Sequence, residues 1–92
     1  MIVISIAEYG NETAVEILGH AEYAACGQDI VCAGVSALTM ALDTFAEADT
    51  VQVGDGYYYA VFDAKNAQAV EMFVAGVKAV EELYPDCVEV NR

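Results

Sequence analysis

From Ile2 to Ile6 the chain alternates: Ile2, Ile4 and Ile6 fall on one side, Val3 and Ser5 on the other. A period of two predicts a strand. The turn formers of Tyr9 to Thr13 follow. A second strand then carries Val15 and Ile17 on one face and ends near Gly19, so the two strands form a hairpin. His20 to Gln28 shows no period and reads as a loop. Beyond it Val31, Val35, Leu38, Leu42 and Phe45 recur at steps of four and three, which is one apolar face of a helix. Asp29 stands where a helix N-cap belongs. Two β-rich runs around Gly54-Asp55-Gly56 predict a second hairpin. A second helix begins near Asp63 or Ala64, turns Val70, Phe73, Val77, Val80 and Tyr84 inward, and is stopped by Pro85. Residues Cys87 to Asn91 make a short last strand. The order ββαββαβ predicts an α+β domain, a mostly antiparallel sheet with two helices packed on one face.

Ninety-two residues leave room for one core, so residues 1–92 are expected to form a single domain. A domain of this size buries only about 60% of its unfolded surface. Against that, 58% of the residues are hydrophobic. The surplus favours a self-association patch and a homodimer. Fifteen acidic residues against three basic ones give a net charge of −12. Direct nucleic-acid binding is disfavoured, because phosphate contacts need cations and only Lys65, Lys78 and Arg92 are present. A basic protein or peptide is a better-matched partner, although excess acid also serves solubility alone. Met1 to Ala7 lacks a basic leader and soon meets Glu8, so no signal peptide is expected. The uncharged run Ile30 to Leu42 is shorter than the ~20 residues a membrane helix needs. The expected compartment is the cytoplasm, where three unevenly spaced cysteines stay thiols.

Candidate chemistry centres on Cys32, at the third position of the first helix, and on His20, the only histidine. A helix start offers unpaired N–H groups and the positive end of the dipole, and both favour a thiolate. His20 could complete a thiolate–imidazolium pair. Backbone N–H groups near Cys32 and Ala33 could form an oxyanion hole. Small residues at Ala33, Gly34, Ser36 and Ala37 would let a peptide approach closely. Ser36, one turn beyond Cys32, could orient it or bind substrate. Other readings stand beside this one. Cys26 could act as a resolving thiol for Cys32, making a redox protein. A zinc site would need Cys26, Cys32 and His20 to converge with Cys87, without any C-x-x-C pair. Free cysteines are also among the most buried residues, and Cys87 is expected to pack within the last strand. No metal and no cofactor is expected.

The run GHAEYAACGQDIVCAGVSAL, Gly19 to Leu38, resembles the signature of the ribosomal-processing cysteine protease Prp family, also called YsxB-like. The matching features are Gly19-His20-Ala21, Gly27, Asp29 to Ala33, and Ser36. The resemblance implies a homodimeric cysteine endopeptidase with Cys32 as nucleophile and His20 as its catalytic histidine. Gly27, Asp29, Ala33 and Ser36 would have supporting roles, Asp29 mainly as the helix cap. It further implies a basic substrate, the precursor of large-subunit ribosomal protein twenty-seven, whose short N-terminal extension is removed. No substrate-binding residue is assigned, although the Tyr57-Tyr58-Tyr59 strand could touch the aromatic residues before the cut. The loop 21–28, with Ala24, Ala25 and Gly27, is expected to be weakly anchored and to close over substrate. A non-catalytic acidic binding module is the main alternative.

Overall fold

The computed structural model describes residues 1–25 and 28–92. Strands β1 (Ile2–Tyr9) and β2 (Glu12–Gly19) form the first hairpin, closed at Tyr9 opposite Glu12. Helix α1 (Ile30–Ala46) follows, then the hairpin of β3 (Thr50–Gly54) and β4 (Tyr57–Asp63). A 3-10 turn, Ala64–Asn66, leads into helix α2 (Ala67–Leu83), and β5 (Val88–Asn91) ends the chain. The order is the expected ββαββαβ. The five strands lie in the order β3-β4-β2-β1-β5. All neighbours are antiparallel except β1 and β5. Helix α2 carries the chain from β4 across β2 and β1, and so delivers β5 parallel to β1.

Register explains why one sheet face is buried. Ile4 lies opposite Ile17, and Ile17 opposite Tyr58; Ile6 lies opposite Val15, and Val15 opposite Ala60. Directly opposed residues share a face. These side chains are all buried in one core with Val31, Val35 and Leu42 of α1 and Val70, Phe73, Val74 and Val77 of α2. The two helices therefore cover the side that the period-two reading marked as apolar. They run close together: a Cβ on Gly76 would stand 2.9 Å from Leu38 Cδ2.

Four details differ from expectation. Phe45 is 79% exposed, while Ala46 is 2% exposed and holds the core position. At about 100° per residue, Phe45 lies about 60° to one side of the Val31–Val35–Leu42 line and Ala46 about 40° to the other, and the small alanine closes the core. The second helix begins at Ala67 and not at Asp63 or Ala64. Asp63 makes no capping hydrogen bond, and Asn66 instead donates to the Ala46 carbonyl (2.9 Å) and to Asp63 (3.3 Å). Val80 and Tyr84 line the rim of the core, half-buried. Cys87 sits one residue ahead of β5, half-buried against the core.

Helix α1 ends on Glu47, which holds a left-handed backbone (φ 52°, ψ 70°). This conformation is unfavourable for a residue with a Cβ, and a carboxylate opposes the negative end of the helix dipole. Glu47→Gly removes both penalties. It should stabilise the fold by about 1 kcal/mol, read as a higher urea midpoint with unchanged slope.

Candidate active site

His20 leaves the end of β2, and Cys32 enters at the first turn of α1. The strand end is fixed from two sides. The Gly19 N–H donates to the Gly56 carbonyl at 2.8 Å, tying β2 to the β3–β4 turn. Gly19 itself has φ +92°, and a Cβ on it would stand 2.3 Å from the Met1 carbonyl oxygen. The imidazole then rests on the turn. A Cβ on Gly56 (φ +65°) would lie 2.8 Å from His20 Nε2, and Asp55 Oδ1 lies 3.5 Å from the same nitrogen. The ring is 55% exposed and Asp55 98% exposed, so the pair contributes little to stability.

The Asp29 carboxylate positions Cys32. Oδ1 accepts the N–H groups of Val31 (3.0 Å) and Cys32 (2.9 Å), and Oδ2 accepts that of Tyr23 (3.0 Å). The hydrogen bond from Cys32, helped by those from Tyr23, Ala24 and Val31, holds the Asp29 carboxyl below its ordinary value. Asp29 thus caps the helix as expected and also binds the preceding loop. This cap overturns one expectation. The Cys32 N–H is taken by Asp29, and the Ala33 N–H donates to the Asp29 carbonyl at 3.0 Å. Neither is left to form an oxyanion hole.

The described start of the loop, residues 21–25, is better anchored than its small residues suggested. Ala21 is 3% exposed, and its N–H donates to Cys32 Sγ at 3.3 Å. The Tyr23 ring meets the Tyr84 ring edge to face, with centroids 5.4 Å apart. Glu22 between them adopts a left-handed φ of 57°, a strained conformation of the kind that surrounding contacts must enforce. Cys26 and Gly27 lie outside the described residues, so the resolving-thiol reading and the Gly27 assignment fall there too.

His20, Cys32 and Ser36 line one open cavity of about 580 Å³ between α1 and the β3–β4 hairpin. Cys32 is half-buried at its wall. Among the described residues no hydrogen bond joins His20 to Cys32; they meet across the cavity. Ala33 is exposed and is not among the lining residues. Tyr57 and Tyr58 line the same space, whereas Tyr59 pairs with Glu16 and Gln52 on the opposite sheet face. Sequence reasoning missed the Asp55-Gly56 turn as a seat for His20. That turn comes beside the end of β2 through the pairing of Leu18 with Tyr57, which no local sequence signal marks.

A half-buried thiol and an imidazole facing one cleft suit acyl transfer. The family model for cysteine protease Prp matches residues 1–89. The chain belongs to the cysteine protease Prp family. Membership makes it a cysteine-type protease. Solved structures agree in fold. The S. aureus ribosomal processing protease Prp, in complex with a covalently linked product peptide, superimposes with a TM-score of 0.86 at 23% identity, over 99% of this chain and 98% of that one. The same S. aureus protease with a substrate peptide gives a TM-score of 0.76, at the same identity and coverage. SMU.848 from Streptococcus mutans gives 0.75 at 29% identity, over 99% of this chain and 92% of that one. A comparison with curated proteins returns no match.

Proposed function

We propose that this Prp-family protease trims the N-terminal extension from the precursor of large-subunit ribosomal protein twenty-seven, with Cys32 as nucleophile and His20 as general acid and base. The observation that carries this reading is the shared cavity: a strand end and a helix start bring the two side chains to one cleft. The Cys32 thiolate attacks the scissile carbonyl, and His20 protonates the departing amine. Water deprotonated by His20 then releases the acyl group from Cys32. The Ala21 N–H steadies the sulfur, and Asp29 fixes the helix turn that carries it. Ser36 faces the cleft from the next turn and contacts substrate. A net charge of −12 draws in a basic ribosomal protein. No described helix is long and apolar enough to cross a membrane, and a substrate of this kind places the enzyme in the cytoplasm.

The test is incubation with a peptide spanning the extension and its junction, read by mass spectrometry. Cleavage at one bond is expected. Binding without cleavage would favour the acidic binding module instead.

A homodimer is part of the same reading. Its support is the surface of the helix pair, where Phe45, Met72 and Leu83 are each more than 70% exposed and α1 carries a single charge, Asp43. A helix apolar on most sides is ordinarily covered. Light scattering at micromolar concentration should give twice the chain mass, and Phe45→Glu should lower it; a monomer mass for the native protein would refute the dimer.

A further inference from the structure

Asp43 lies on the same flank of α1 as Cys32, about three turns further along, and lines the same cavity. From residue 32 to residue 43 the helix rises about 16 Å. An extended peptide covers that distance in about five residues. Between the two ends the cavity wall is apolar or hydroxyl-bearing, with Thr39, Met40, Val53 and Tyr57 facing it. Asp43 therefore stands at the far end of the groove, while the other carboxylate that lines it, Asp55, lies at the near end beside His20.

Its bonding is half complete. The Tyr58 hydroxyl donates to Asp43 Oδ1 at 3.0 Å. Burial, and then Asp43 itself, push the Tyr58 pKa up, so the phenol keeps its proton for this bond. Among the described residues no donor reaches Oδ2. Nor do the described residues supply a counter-charge there. Arg92 is engaged by Glu8 and Glu71, Lys65 stands beside Asp63, and Lys78 lines a separate hollow with Glu81 and Glu82. A half-buried carboxylate with one oxygen held and the other open is a receptor for a cationic donor.

We propose that Asp43 determines specificity, selecting peptides that carry a lysine or arginine about five residues from the scissile bond. The proposal rests on the reading of the cavity as the substrate groove. It goes further than the overall charge, which attracts any cation, because Asp43 fixes one position along the peptide. The ammonium or guanidinium group donates to Oδ2 while Tyr58 keeps Oδ1 in place.

The experiment uses neutral peptides of about twelve residues, aromatic at the two central positions, with one lysine walked position by position or replaced by glutamine. Binding to the Cys32→Ala protein is read by fluorescence anisotropy, and cleavage by the native protein is followed in parallel. At one lysine position the peptide should bind about 10- to 100-fold more tightly than its glutamine counterpart. Asp43→Asn, which keeps an oxygen for the Tyr58 hydroxyl, should bring that ratio close to one. Asp43→Lys should reverse it, favouring glutamate at the same position. A lysine walk with no positional preference overturns the proposal, as does a preference that survives in Asp43→Asn. The binding arm needs no nucleophile, so a native protein that fails to cut any peptide would count against the protease reading alone.

Discussion

Cys32→Ala is expected to stop peptide cleavage, lowering the single-turnover rate by on the order of 10⁶-fold, the loss typical of a nucleophile that works as one unit with its base. The fold should survive. The side chain is half-buried and its recorded polar contact is the 3.3 Å hydrogen bond from Ala21 N–H, worth about 1 kcal/mol at most. The helix turn beneath it is fixed by Asp29, which is untouched. The thermal midpoint and the binding of an uncut peptide should therefore stay near native while turnover disappears. A Cys32→Ala protein that still cuts, alongside a Cys26→Ala protein that does not, would transfer the nucleophilic role to Cys26.

The largest effect on stability is expected from Gly19→Ala. Two penalties coincide at this residue. Its φ of +92° disfavours any side chain, and the new Cβ would stand 2.3 Å from a backbone oxygen of Met1. Backbone strain and overpacking together should cost roughly 3 kcal/mol or more. For a domain of this length that lowers the thermal midpoint by roughly 12–24 °C. His20 is the next residue, so the cleavage rate at low temperature should fall by more than the unfolded fraction explains. Gly10→Ala is the matched control. Gly10 also has a positive φ (+60°), but nothing lies within 4 Å of its added Cβ, so only about 1–2 kcal/mol should be lost. Equal midpoints for the two variants would remove the proposed close approach at Gly19.

Much of this was legible in the sequence, and the exceptions have physical causes. Strands and helices could be read because burial follows a period of two in β1 and steps of three and four in α1 and α2. Phe45 broke that reading at the last turn, where a residue slightly off the apolar line is free to face solvent and a small alanine closes the core. The helix start at Asp29 was visible, but its consequence was not. A carboxylate that caps a helix consumes the N–H groups that would otherwise hold an oxyanion, so the cap and the hole could not both form there. His20 and Cys32 were identified as partners, whereas Asp43 was passed over because it belongs to no local motif. Its spacing from Cys32 along one helix flank contained the information, but only the β3–β4 hairpin standing opposite makes that flank the wall of a cleft. Asp55 was read as a turn residue for the same reason: its meeting with His20 depends on strand pairing distant in sequence.

The tie between Gly19 and Gly56 also bears on when the protein can act. Each hairpin is closed by near neighbours, Tyr9 with Glu12 and Gly54 with Tyr57, and contacts this local form quickly. The cleft, however, needs β2 against β4, and the sheet is completed only when Val88 reaches Ile2. Such long-range pairing comes late, because the loops it closes must be ordered first. A chain that has formed only its two hairpins therefore carries its thiol and its imidazole without a cleft between them. The cleft is thus a property of the assembled sheet, and neither hairpin holds it alone.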